Sequence, residues 1–203
     1  MTLIDTHAHL TMADYDGGID GILQRARLAG VSRCILAGTT GEDSRQNTEL
    51  TAQHPAELAC TVGIHPHEAA GCTDDALDDC LANLDNATSA GPLSVVFHCF
   101  SSGPDDAGRI LDHGFHLSFT GVVTFNNARD LQQVAVTVPN DRYMLETDCP
   151  YLAPVPKRGH WPNEPALLPL VAQKIAQLRG QSADEIAETT SENARRFFRL
   201  ARS

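Results

Sequence analysis

The sequence predicts an α/β fold in which a parallel sheet, wrapped as a β/α barrel, carries helices on its outer face. Two observations predict it. Short apolar runs alternate with amphipathic stretches six times along the chain, the signature of parallel strands with helical cover. The polar residues best suited to chemistry (His7, His9, His65, His67, His98 and Asp148) fall at the ends of four of those runs. In a β/α barrel the C-terminal rim gathers such side chains, distant in sequence, into one site.

Leu3–His7 reads as the first strand, and Ile19, Ile22, Leu23 and Ala26 follow at helical spacing, closed by Gly30. Val31–Ala37 is the second strand. Glu42–His54 is a helix stopped before Pro55. Leu58–Ile64 is the third strand and runs into His65-Pro66-His67. Thr73 caps a helix carrying Leu77, Leu81 and Leu84, with Asp74 and Asp75 suited to its positive end. After a loop over 87–92, Leu93–Phe97 is the fourth strand, Asp105–His113 a helix ended by Gly114, and Phe115–Phe119 the fifth strand. Asn127–Val136 is a helix, and Arg142–Glu146 the sixth strand, leading into Thr147-Asp148. Asn163 opens a helix with Leu167, Val171, Ile175 and Leu178 on one face. Ser182 and Glu185 form a capping box for the last helix. No linker or low-complexity segment divides the chain, which reads as one domain over 1–203.

At 203 residues the chain can bury one large core. A net charge of −11 argues against wholesale electrostatic capture of nucleic acid, though a bound metal can supply positive charge locally. The six cysteines form no C-x-x-C pair, and no signal peptide or membrane-spanning apolar stretch is present, so the expectation is reduced thiols in a cytoplasm. Cys99 and Cys149, each following a candidate ligand, read as small apolar fillers.

His7 and His9 are the most informative pair. One intervening residue puts both imidazoles on the same side of a strand, and two neutral imidazoles pointing one way make half of a transition-metal site. Asp5 could orient an imidazole from behind. Asp148 is the acidic member, able to orient or deprotonate an attacking water. His54, His113, His116 and His160 lack this placement and read as surface or structural.

The chain strongly resembles the TatD family of metal-dependent deoxyribonucleases, within the amidohydrolase-like metal-dependent hydrolases. The matching segments are Ile4-Asp5-Thr6-His7-Ala8-His9-Leu10, Val62-Gly63-Ile64-His65-Pro66-His67-Glu68 and Phe97-His98-Cys99-Phe100-Ser101. Leu145-Glu146-Thr147-Asp148-Cys149-Pro150-Tyr151 through Pro154 follows, then Arg158-Gly159, Asn163-Glu164-Pro165-Ala166 and Glu192-Asn193-Ala194. The resemblance implies a TIM-type barrel with a one- or two-metal centre (magnesium, manganese or zinc) that hydrolyses DNA phosphodiesters, often from 3′ ends of single strands. By motif, His7, His9 and Asp148 would hold the first metal and His98 the second. Asp148 would be the catalytic residue, and His65 and His67 would face the substrate.

The chain also departs from that pattern. Family members carry two further strand–helix units between the His-Pro-His strand and the His-Cys-Phe strand. One bears a Gly-Glu-x-Gly-Leu-Asp strand end whose glutamate bridges the metals, the other an Ile-His-Ser-Arg end whose histidine binds the second metal. Neither motif is present. The resemblance therefore implies a barrel shortened to about six strand–helix units, with an internal deletion between about 86 and 93. Missing strands either leave edges on the third and fourth strands, which would invite pairing with a second copy as a homo-oligomer, or force a narrower closure. Glu68 could replace the lost carboxylate, whereas Glu146, deeper on the same face as Asp148, reads as structural. Lys157, Arg158 and Trp161 are the nearest thing to a nucleic-acid path and read as a solvated loop. The leading expectation is a TatD-type deoxyribonuclease. The alternative is a catalytically impaired remnant that binds metal weakly.

Overall fold

The computed structural model describes residues 2–65, 67–68 and 94–201. Six parallel strands are present among them: β1 (Leu3–Ala8), β2 (Val31–Leu36), β3 (Leu58–Cys60), β4 (Val96–Phe97), β5 (His116–Phe119) and β6 (Tyr143–Leu145). The helices are α1 (Gly18–Leu28), α2 (Gly41–Gln53), α3 (Pro104–Asp112), α4 (Arg129–Thr137), α5 (Leu168–Arg179) and α6 (Ala183–Phe198). Single 3-10 turns at Gly121–Thr124 and Pro165–Leu167 complete the order.

The strands form two three-stranded parallel sheets, β1-β2-β3 and β4-β5-β6. A parallel bridge between Ala8 and Cys149 joins them. There His9 N–H donates to the Cys149 carbonyl at 2.8 Å, and Asp148 N–H to the His7 carbonyl at 3.0 Å. The wall therefore runs β3-β2-β1-β6-β5-β4. Among the described residues no ladder joins β3 to β4. The interior between those edges holds a cavity of about 310 Å³, walled by Ile35, Ala37, Val62, Ile64, Val96 and Phe198.

Strand alternation divides the core in two. Leu3, Cys34, Leu36, Tyr143 and Leu145 pack with Ile22, Leu23, Ala26, Val171 and Ile175 of the covering helices. Ile4, Ile35 and Met144, the intervening residues, form a second cluster against Phe197 and Phe198 at the end of α6. Each fully buried Leu, Ile or Phe contributes about 1.5–3 kcal/mol, so the helix-side layer is the main source of stability. The termini of α6 follow the sequence closely: Ser182 and Glu185 make the reciprocal capping box. Gly180 ends α5 at φ 65°, the left-handed conformation that glycine adopts readily at a helix C-terminus.

The largest differences from expectation fall at strand ends. β3 was expected to continue to Ile64, but it leaves the ladder after Cys60. Thr61 N–H still donates to Leu36 at 2.8 Å, whereas His65 N–H turns to the Thr39 carbonyl at 2.8 Å and Gly63 N–H to Ser44 Oγ at 3.3 Å. Gly38 permits this crossing, because a Cβ there would stand 2.8 Å from the Thr61 carbonyl oxygen. The helix expected to open at Asn163 begins instead with the 3-10 turn and becomes α-helical at Leu168. Asn163 spends its side chain on the preceding loop. The helix over 73–84, the loop over 87–92 and Leu93 lie outside the described residues.

Gly121 fixes the loop that follows β6. A Cβ on it would collide with the Leu152 carbonyl oxygen and stand 2.9 Å from Pro154 N. Gly121→Ala is expected to lower stability by about 2 kcal/mol through overpacking, seen as a melting temperature roughly 4–8 °C lower. An unchanged melt would show that the loop yields freely.

Candidate metal centre

β1 delivers His7 and His9 to the C-terminal rim, and the segment after β6 delivers Asp148 beside them through the Ala8–Cys149 bridge. His7 Nε2 and His9 Nε2 are 3.1 Å apart. Asp148 Oδ1 is 3.6 Å from His7 Nε2 and 3.5 Å from His9 Nε2. Ligands about 2.1 Å from one ion stand about 3.0 Å apart in octahedral and 3.4 Å apart in tetrahedral geometry. The three donors thus form a triangle of the size that one face of a coordination shell requires. A divalent metal fits them.

His98, at the end of β4, comes from the far edge of the wall. Its ring stacks on His7 with centroids 4.1 Å apart and planes 3° from parallel. Donor atoms of His7, His98 and Asp148 all lie within 4.8 Å of one another. Cys99 and Asp148, immediately after and at these strand ends, have φ of 46° and 54°. Non-glycine residues in that region cost energy and cluster at functional sites.

Burial, reinforced by the neighbouring imidazoles of His98 and His9, drives His7 down to about 2. It is therefore neutral through the physiological range and needs to shed no proton to bind a cation. Burial also lowers His98, opposed by the Asp148 carboxylate.

Two buried carboxylates support the ligands from below. Asp5 was expected to orient an imidazole, but its partners are two backbone N–H groups and the Thr147 hydroxyl. It accepts from Thr147 N–H at 3.0 Å, Thr147 Oγ1 at 2.6 Å and His7 N–H at 3.3 Å, tying the two ligand-bearing segments together. Burial nonetheless pushes it up to about 7. Glu146 accepts from Cys99 N–H at 2.5 Å and lies 4.0 Å from His98 Nδ1, so it joins the β4 end to β6. Burial pushes it up to about 8, against hydrogen bonds from Ser118 and Cys99.

His65 and His67 line a cavity of about 420 Å³ together with His9, His98, Asp148 and Glu68. His65 Nδ1 accepts from His67 N–H at 3.2 Å, which in the neutral ring leaves Nε2 as the donor. The motif residue Asn163 is read in the sequence only as the opening of a helix, with no part in the site. It is fully buried, donating to the Thr147 carbonyl at 3.1 Å and the Tyr151 carbonyl at 2.5 Å. It pins the loop after Asp148, and its only sequence signal is its place in that motif.

The family model described as TatD related DNase matches residues 4–78 and 72–199. The chain belongs to this family. Among its relatives, YcfH of Escherichia coli K12, named an uncharacterized metal-dependent hydrolase, is 32% identical over 98% of this chain and 97% of its own. The 3′-5′ ssDNA/RNA exonuclease TatD of Dickeya dadantii is 29% identical over 97% and 98%. The crystal structure of the TatD homologue YJJV from Escherichia coli K12 superposes with a TM-score of 0.88 at 22% identity, over 98% of each chain. The fold is the TIM-type barrel of these TatD proteins, with six strands among the described residues. The YcfH match runs over 260 positions, more than the 203 residues of this chain, so that relative carries residues with no counterpart here. No helix among the described residues is long and apolar enough to cross a membrane.

Proposed function

We propose that this TatD-family hydrolase cleaves DNA phosphodiester bonds, releasing nucleotides from the 3′ ends of single strands. We further propose that it is one domain from which two strand–helix units between about 86 and 93 have been lost. The two-piece family match, whose pieces meet at residues 72–78, and the longer alignments support an internal loss, though earlier in the chain than 86–93. The observation that carries the first is the triangle of donors from His7, His9 and Asp148 at the mouth of a cavity lined by His65 and His67.

In this reading His7, His9 and Asp148 hold a divalent metal, and His98 stands at its margin as the remaining ligand of a second position. When bound, such an ion polarises a phosphoryl oxygen and lowers the pKa of water. Asp148 turns Oδ1 to the two histidines, and its other oxygen accepts the proton of the attacking water. His65 donates from Nε2 to the substrate phosphate, and the backbone of His67 holds the ring in that tautomer. Asp5 and Glu146 keep the two ligand-bearing strand ends in register.

The test is nucleotide release from end-labelled single-stranded DNA by purified protein. The expected result is no release in chelator and release restored by added manganese or magnesium. Folded, metal-loaded protein that releases nothing would overturn the reading. The absence of the family's bridging glutamate favours a second reading, a weakly binding remnant. Metal stoichiometry well below one ion per chain at millimolar manganese would support it.

A further inference from the structure

The metal-centre cavity continues at its rim into an aromatic pair outside the ligand set. Tyr151 lines that cavity with His9, His98 and Asp148, and its N–H donates to the Asp148 carbonyl at 3.0 Å, so the ring springs from the same turn as the carboxylate. Trp161 lies beside it, with centroids 5.5 Å apart and planes tilted by 56°. Both rings remain open to solvent, Tyr151 at 46% and Trp161 at 58%. Burying such rings is strongly favourable, so two side by side at a cavity mouth are a surface awaiting a flat partner.

The loop between them is anchored. Asn163 donates to the Tyr151 carbonyl, and its own N–H donates to the Pro150 carbonyl at 2.9 Å, closing the loop at its base. Lys157 and Arg158 lie on that loop, and the Arg158 guanidinium sits 4.1 Å over the Phe125 ring. Two cations on the loop that joins the rings give this stretch positive charge in a chain whose net charge is −11, and suit it to a ligand that joins a flat face to anionic groups.

We propose that Tyr151 and Trp161 form a stacking platform for a nucleobase of single-stranded nucleic acid, holding the strand whose phosphodiester enters the cavity. This rests on the nuclease reading of the adjoining centre. Stacking on aromatic faces is sequence-tolerant because every base has a π-face. The platform therefore grips a strand end without selecting a base, and Lys157 and Arg158 meet the phosphates on either side.

Trp161 is the only tryptophan, so its fluorescence reports the platform directly. The full chain with manganese is titrated with a phosphorothioate-linked oligothymidylate that resists hydrolysis, and with an abasic oligomer of equal length and charge. Saturable quenching by the first and none by the second is the expected result. In fluorescence anisotropy with labelled oligothymidylate, Trp161→Ala should bind about tenfold more weakly and Trp161→Phe should recover most of the loss. In nucleotide release, Trp161→Ala should raise KM rather than lower kcat. Equal quenching by the abasic oligomer, or quenching by neither, overturns the platform. Release without base-dependent quenching overturns the platform alone, whereas base-dependent quenching without release overturns the nuclease reading and leaves the platform standing.

Discussion

Asp148→Asn is expected to reduce nucleotide release by three orders of magnitude or more while leaving the melting temperature of metal-free protein within a few degrees. Removing a positioned general base costs about 10²–10⁴-fold, and here the same carboxylate is also the only anionic member of the donor triangle. Asparagine is the informative substitution because residue 148 has φ 54°, a left-handed conformation that asparagine adopts more readily than alanine. Loss of function in that variant therefore reports chemistry rather than a broken turn. Calorimetric titration with manganese should show weaker binding in parallel. A variant that released nucleotides at the wild-type rate would remove Asp148 from the mechanism.

The convergence of the candidate donors was partly legible in the sequence because strand periodicity is local. His-x-His at a strand end needs no tertiary information to place both imidazoles on one side, and their Nε2 atoms meet at 3.1 Å. Asp148 and His98 were legible by position, at the ends of apolar runs. The reach of His98 onto the His7 ring was not, because it depends on how far the wall curves between β4 and β1. Glu146 shows the same limit. Alternation alone puts it on the side of Met144 and Asp148, but the Cys99 N–H that it accepts from lies 47 residues away. Asp5 was read with an imidazole in mind, yet its partners are the backbone of its own strand and a threonine on β6's extension, chosen by a pairing that no spacing rule supplies. β3 ended early because Gly38 and Ser44 draw the segment after Cys60 across the sheet, a contact between loops rather than a property of the apolar run.

The buried groups around the centre also give metal-free protein a defined pH dependence. Asp5 and Glu146 are raised from 3.8 and 4.5 to about 7 and about 8, with burial the leading cause in both. A carboxyl raised on folding contributes stability that is complete below its unfolded pKa and is lost as pH rises through its folded one. His7 runs the other way. Lowered from 6.5 to about 2, it contributes stability present above pH 6.5 and lost as pH falls through the interval below. His98 and His116 are lowered in the same direction, both chiefly by burial. Between about pH 4.5 and 6.5 the carboxyls and histidines oppose one another, and the slope should be small. Above pH 6.5 the unfolded histidines are already neutral, so only the carboxyls act, and stability should fall by roughly 3 kcal/mol by pH 8. In a chelator-treated sample that loss is a melting temperature lower by about 6–12 °C. Asp5→Asn combined with Glu146→Gln should lower stability overall, since each carboxylate serves several donors, yet flatten the decline above pH 6.5. The slope, rather than the absolute melting point, is the quantity to read. A double variant that keeps the wild-type slope would place the titrating groups elsewhere in the barrel.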